Sequence, residues 1–286
     1  MPRVLIAGCG YIGAATADLF FSRGWEVEGW TRSQGSVQKV GAKPYPLRAV
    51  NITNRADVTN CSANFDAVIH CASTRGGGAE LYQQVYLNGA RNLLERFRTS
   101  TIFFTSSTSV YAQSDGSWVT EESATKPAHE TGRILLATEK LVLARGGIVA
   151  RLAGIYGPGR SALLEKFLRG EAFIDPEHDR FINQVHRDDI ATALVLLLDR
   201  DSARGEIYNV VDHEPILQSD CYRWLAQKLN RPLPPTGRSQ VQRKRGASNK
   251  RISNAKLHAL GWEPRYPTFA VAMEKSILPS FARDRD

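Results

Sequence analysis

Residues 3–13 read Arg-Val-Leu-Ile-Ala-Gly-Cys-Gly-Tyr-Ile-Gly, and this stretch decides the fold. Arg3–Gly8 is a short apolar run that suits a buried parallel strand. Gly8-Cys9-Gly10-Tyr11-Ile12-Gly13 is a G-x-G-x-x-G turn, and Ala14–Arg23 has helical spacing. A second strand is expected over Trp25–Trp30. Each glycine has its own task. Gly8 allows the tight turn, Gly10 lets a pyrophosphate approach the backbone, and Gly13 lets the helix pack on the strand. The start of the helix then aims unpaired N–H groups at the phosphates. Alone the motif is weak; between a strand and a helix, with a second strand following, it is specific. The competing reading is a tight turn that binds nothing.

The end of the second strand selects among nucleotides. A site for NAD places a carboxylate there to hold the ribose 2′-OH. Here the strand closes with Gly29-Trp30-Thr31-Arg32-Ser33, and the last acid, Glu28, falls within the strand. Arg32 has the charge to pair with a 2′-phosphate, and the hydroxyls of Thr31 and Ser33 can donate hydrogen bonds to it. The expected cofactor is NADP, with NAD as second choice. On the competing reading Arg32 is a solvated loop cation.

Composition narrows the class. A chain of 286 residues suffices for a full core with a smaller second lobe. Met1-Pro2-Arg3 leads straight into the first strand, so no signal peptide is expected, and no apolar stretch is long enough to span a membrane. Cys9, Cys61, Cys71 and Cys221 have no metal-site spacing; reduced thiols, no metal and a cytoplasmic setting are expected. The formal charge of +8 is concentrated in Arg238–Arg251. No nucleic-acid motif or aromatic platform accompanies that run. A solvated basic loop, or a cationic mouth for an anionic cofactor or substrate, fits better than a nucleic-acid patch.

Further strands are expected at Gly41–Val50, Phe65–Cys71, Thr101–Ser106 and Gly147–Leu152, with long helices at Ala79–Arg98 and roughly 128–145. This alternation predicts an α/β fold, a doubly wound parallel Rossmann sheet whose ligand lies off the carboxyl ends of the strands. Residues 1–152 form the nucleotide-binding domain. After residue 152 the pattern loosens into shorter elements, including helices at Asp189–Leu198 and Leu217–Leu229 and a strand at Glu206–Val210. Residues 153–286 are expected to form mainly a smaller substrate lobe, with some elements returning to the sheet.

The order of motifs resembles the extended short-chain dehydrogenase/reductases, the NAD(P)-dependent epimerase/dehydratase superfamily. Its carriers are Gly8–Gly13, Asp66–Ala72, Gly89–Leu94, Ser106–Tyr111, Arg151–Gly159, Val185–Ala191, Tyr208–Val210 and Leu260–Pro264. The resemblance implies that Asn51 and Ile52 sit beside the adenine. It implies that Cys71, Ala72 and Ser73 lie near the adenosine ribose and pyrophosphate. Ser106 and Ser107 would lie near the nicotinamide, with Ser107 matching the family's catalytic Ser/Thr. By analogy with the family, a homodimer would form through Ala79–Arg98 and the 128–145 helix.

The chain also departs from that pattern. Family members usually carry a Tyr, a Lys four residues later and a Glu four beyond that, on the helix after the serine. The Lys lowers the Tyr pKa so that the phenol can transfer a proton near neutral pH. Counting from Pro127 gives Thr131, Leu135 and Glu139: the frame is kept and the chemistry is absent. The Asn usual in the long helix appears as Tyr86, and the Asn usual after the sixth strand as Gly154. This is the pattern of an atypical subgroup lacking the Tyr-Lys pair. Three readings stay open: an NADP-dependent oxidoreductase of a small-molecule substrate, an NADP-binding sensor or partner-binding protein without turnover, and a sugar-nucleotide epimerase or dehydratase. The last leans hardest on the missing Tyr. Candidate proton donors for the first are Tyr86, Tyr111, His129 and His186, with Tyr86 foremost. Each also has a purely structural reading: Tyr86 as an aromatic filling space, His186 as a satisfied buried histidine.

Overall fold

Seven of the apolar runs pair into one sheet in the computed structural model, which describes residues 1–62, 64–74, 76–237 and 248–283. The strands are β1 (Arg3–Ala7), β2 (Glu26–Thr31), β3 (Leu47–Ala49), β4 (Ala67–His70), β5 (Thr101–Ser107), β6 (Ile148–Leu152) and β7 (Ile207–Val210), in the spatial order β7-β6-β5-β4-β1-β2-β3. β4 and β6 are buried at every position, and β1 and β5 at all but one, as expected for parallel strands covered on both faces. Ala7 pairs with Trp30 on one side and His70 on the other. The turn leaving β1 therefore emerges where the strand order reverses, the position at which open α/β sheets bind ligands.

Two expectations change. The third strand shrinks from Gly41–Val50 to Leu47–Ala49, because Pro44 and Pro46 lack the N–H a ladder needs. The long helix expected at Ala79–Arg98, called α3 below, is α-helical over Ala79–Tyr82, a π-helix over Gln83–Asn88 and α-helical again over Gly89–Arg96. The other helices used below are α1 (Tyr11–Ser22), α2 (Gln34–Val40), α4 (Glu130–Leu143), α5 (Arg187–Leu198) and α6 (Gln218–Lys228). Among the described residues no helix is long and apolar enough to cross a membrane.

The chain divides into two compact units. The first is Met1–Val110, Lys126–Leu152 and Ile190–Tyr208. Here α4 packs on β5 and β6 through a buried charge pair. Glu139 receives Arg151 Nη2 at 2.6 Å and Nε at 3.1 and 3.2 Å, while Ser106 Oγ donates to Oε1 at 2.5 Å. Both charged side chains are under 5% exposed. The buried pair fixes the rotation of α4 about its axis.

The second unit is Tyr111–Thr125, Ala153–Asp189 and Asn209–Asp286. Its core gathers Tyr156, Leu164, Phe167, Tyr222, Phe269 and Met273. Short ladders join Gly154–Tyr156 to Gln184–His186, Phe181–Ile182 to Ile216–Leu217, and Trp118–Val119 to Arg251–Ile252. The buried Asp189 carboxylate accepts Arg265 N at 2.7 Å and Tyr266 N at 3.0 Å; burial pushes its pKa up to about 6. Of the basic run Arg238–Arg251, residues 238–247 lie outside the described residues. The end of the run is not solvated. Lys250 is buried, with Nζ donating to Tyr111 O and Ser248 Oγ, and Arg251 lies over the Trp118 and Phe181 rings.

The buried pair makes a stability prediction. Arg151→Met leaves Glu139 charged and unpaired in the interior and is expected to cost roughly 3–5 kcal/mol in urea unfolding. Adding Glu139→Gln to it should recover most of that loss. A single-variant cost below about 1 kcal/mol would show that the pair does not anchor the helix.

Candidate functional site

The glycine turn is built by backbone crowding. Gly8 has φ +103°, and a Cβ there would stand 2.1 Å from Ala72 N. Gly8 N and Cys9 N both donate to Trp30 O, at 3.0 and 2.7 Å, so the turn is stitched to the end of β2 while it abuts the segment after β4. A Cβ on Gly13 would lie 2.3 Å from Gly8 O, so only glycine lets α1 start this close to the turn. Gly10 is the N-cap of α1; it supplies no side-chain cap, and the first turn holds no acid. Tyr11 and Ile12 open the helix. The amide end of a twelve-residue helix, above a turn with no room for a Cβ, fits the pyrophosphate of a dinucleotide.

Around this cradle the other expected contacts take defined positions. At the end of β2, Thr31 is buried and donates its hydroxyl to Ser33 O at 3.2 Å. Ser33 caps α2, accepting Ser36 N at 3.4 Å. Both hydroxyls thus have local partners, a detail the bare sequence did not show, while Arg32 is exposed. Glu28 is engaged inside the sheet, accepting Trp30 Nε1 at 2.8 Å and facing Arg48 Nε at 3.2 Å. After β3, Asn51 Oδ1 accepts Thr53 N and Thr53 Oγ1. Ile52 O accepts Asn92 Nδ2 at 2.8 Å, and Ile52 Cδ1 is only 2.8 Å from where a Gly89 Cβ would be. After β4, Cys71 N donates to Ala7 O, Ala72 lies against Gly8, and Ser73 is exposed. Burial pushes the Cys71 thiol up to about 12, which removes it as a thiolate nucleophile. Arg75, which precedes Gly76-Gly77-Gly78 in the sequence, lies outside the described residues.

The two serines at the end of β5 diverge. Ser106 turns inward to Glu139 and is structural, whereas Ser107 is half-buried. Ser107 Oγ accepts Ser109 N at 3.2 Å, which leaves its proton available to donate. On α4, Thr131 is half-buried in the first turn, Leu135 is buried and Glu139 is held by Arg151. That face supplies no phenol and no ammonium.

Tyr86 rides on the π-turn of α3, which packs against α4. Its ring lies near those of His70, Tyr82 and Phe104, at centroid distances of 6.3, 4.9 and 6.1 Å. His70, which the sequence reading left as one residue of a strand, is the support of this group. Its Nε2 lies 3.1 Å from Val85 O inside the π-turn, and its buried Nδ1 has no hydrogen-bond partner among the described residues. Burial lowers its pKa from 6.5 to about 4. The only signal in the sequence was a histidine inside an otherwise apolar run.

The remaining donor candidates have other engagements. His129 is exposed just before α4. In the second unit, Tyr111 donates to Asn209 Oδ1 at 2.9 Å and is buried. His186 is fully buried: Asp188 N donates to its Nδ1, so its Nε2 carries the proton and donates it to Ser276 Oγ at 2.9 Å.

Comparison with known proteins agrees with the fold. The model of the NAD dependent epimerase/dehydratase family matches residues 4–210. Protein YeeZ of Escherichia coli K12 is 31% identical over 277 residues, which is 93% of this chain and 97% of that protein. A functionally unknown conserved protein from Silicibacter pomeroyi is 25% identical, with a TM-score of 0.76 over 96% of this chain and 97% of that one. UDP-glucose 4-epimerase of Thermotoga maritima shares the fold at 18% identity, with a TM-score of 0.86 over the full length of both chains.

The His70 environment predicts a pH dependence. Its folded pKa lies below the unfolded value, so the unfolded chain takes up the proton first. The stability that neutral His70 contributes is complete above pH 6.5 and is lost as pH falls towards 4. Between pH 7 and pH 4 the wild-type protein should lose roughly 3 kcal/mol more than His70→Gln in urea unfolding. Equal losses would assign the acid sensitivity to other groups.

Proposed function

The chain belongs to the NAD dependent epimerase/dehydratase family, and we propose that it is an NADP-dependent oxidoreductase of the atypical extended short-chain type. The observation that carries this reading is the face of α4. Glu139 keeps the helix anchored, while Thr131 and Leu135 occupy the places of the family's proton-transfer pair. A leucine buried there offers neither charge nor donor, so chemistry that depends on a tuned phenol at that position lacks its base. Hydride chemistry remains, because the nicotinamide supplies the hydride when the cofactor is bound.

In this reading Gly8, Gly10, Tyr11, Ile12 and Gly13 hold the pyrophosphate. Asn51 and Ile52 flank the adenine, and Cys71, Ala72 and Ser73 face the adenosine ribose and pyrophosphate. Arg32 pairs with the 2′-phosphate, at a strand end framed by Thr31 and Ser33 and without a free carboxylate. NAD, lacking that phosphate, binds more weakly. Ser107 donates its proton to a substrate oxygen, and Ser106 keeps β5 and α4 in register behind it. Tyr86 supplies a proton from its phenol. Residues 153–286 provide mainly the substrate-binding part, and α3 with α4 would form the face of a homodimer. A second reading, a nucleotide-binding sensor without turnover, draws on the same loss of the Tyr-Lys pair.

Fluorescence titration with NADPH and NADH tests the cofactor. Arg32→Ala should weaken NADPH by roughly 10- to 100-fold while changing NADH about twofold or less. Equal loss for both would remove the 2′-phosphate argument, and binding of neither nucleotide would overturn the reading. Oxidation of bound NADPH by a panel of small carbonyl and imine compounds tests turnover. Tyr86→Phe should lower kcat by about 100-fold, with Thr131→Ala close to wild type. Tight binding with no turnover across the panel would favour the sensor.

A further inference from the structure

The second unit brings two imidazoles and a carboxylate to one point. His213 follows β7, His258 ends the short helix Ala255–His258, and Glu263 lies in the loop beyond Gly261. His213 Nε2 is 3.0 Å from Glu263 Oε2, and His258 Nε2 is 2.5 Å from Glu263 Oε1. One potential ligand atom from each residue lies within 4.8 Å of the other two. We propose that His213, His258 and Glu263 form a divalent-metal site, with Zn²⁺ as the cation that suits two imidazole nitrogens and one carboxylate oxygen.

Three features of the cluster support this. The first is spacing. Donors about 2.0–2.1 Å from a tetrahedral zinc stand roughly 3.3 Å from one another. The two histidine–glutamate spacings, which run to different carboxylate oxygens, are shorter than that, and all three ligand atoms lie within 4.8 Å of one another, so a cation enters once the exposed side chains shift by up to about an ångström. The second is support. His213 N donates to Pro267 O at 2.9 Å, and His258 N donates to Asn254 O at 2.9 Å. The buried Leu257 and Trp262 anchor the chain beside His258 and Glu263. Three separated segments are thus held so that their ligands converge without a metal. The third is access, since the three side chains are between one-third and two-thirds exposed.

The neighbouring amide sets the cost. Asn254 Nδ2 donates to Val211 O at 2.9 Å and lies 3.0 Å from His213 Nδ1. An amide nitrogen only donates, so without metal Nδ1 accepts and Nε2 carries the proton, which it gives to Glu263. Metal at Nε2 moves that proton to Nδ1, and Asn254 must then turn its carbonyl to the ring. This rearrangement, together with an open fourth position for water, makes micromolar affinity the expectation rather than that of a closed structural site.

The full-length chain, stripped with a chelator and titrated with ZnCl₂ in a calorimeter, tests the site. One Zn²⁺ per chain is expected. His258→Ala and Glu263→Ala should each weaken binding at least roughly tenfold, while His178→Ala, at an exposed histidine paired with Asp175, leaves it unchanged. Co²⁺ in place of Zn²⁺ should give visible d–d bands that both ligand variants lose, with circular dichroism confirming that they remain folded. No heat of binding up to about 1 mM Zn²⁺, or equal affinity in wild type and both ligand variants, would overturn the proposal.

Discussion

At Gly8 there is no room for one more carbon atom. The turn runs with positive φ against the backbone of Ala72, and its amides are tied to Trp30 O. Three strand ends therefore meet at a single residue: β1 supplies the turn, β2 accepts its hydrogen bonds, and β4 leads into the segment it touches. This crowding brings the start of α1 to the point where the strand order reverses. It sets the start of that helix at the carboxyl ends of the strands, and the positions of Arg32, Asn51 and Ala72 follow from the same convergence.

A buried bidentate arginine–carboxylate pair, joined by Ser106, locks α4 to β5 and β6. Its specificity lies in direction. A bidentate guanidinium accepts a carboxylate in few orientations, so the helix cannot rotate without stranding a charge. The positions one and two turns earlier, Leu135 and Thr131, are then presented at fixed angles although neither can transfer a proton as a tuned phenol does.

Buried histidines divide the remaining work. His70 braces the π-turn beneath Tyr86, and His186 braces the second unit through Ser276 and the Asp188 amide. Burial holds both below their usual pKa, to about 4, so each is neutral near pH 7; His70 donates to Val85 O, and His186 both donates and accepts. His213 and His258 are exposed and share a carboxylate, the opposite environment, and one that permits exchange of a proton for a cation.

The amino-acid sequence by itself determined the sheet, its parallel sense and the glycine turn, because each is carried by local spacing: short apolar runs and glycines at fixed offsets. The shortening of β3 was also local, since Pro44 and Pro46 stand inside the run. What the tertiary structure alone decided has long sequence separation or depends on side-chain direction. Ser106 and Ser107 are adjacent and read alike, yet strand alternation turns one into the Glu139–Arg151 pair and leaves the other half-exposed. Lys250 read as a solvated cation, whereas its ammonium is buried against Tyr111 O, 139 residues away. The π-turn has no compositional signature, because it depends on how α3 packs and on which carbonyl His70 reaches. His213, His258 and Glu263 share no metal-binding spacing, and only the folded loops bring them together.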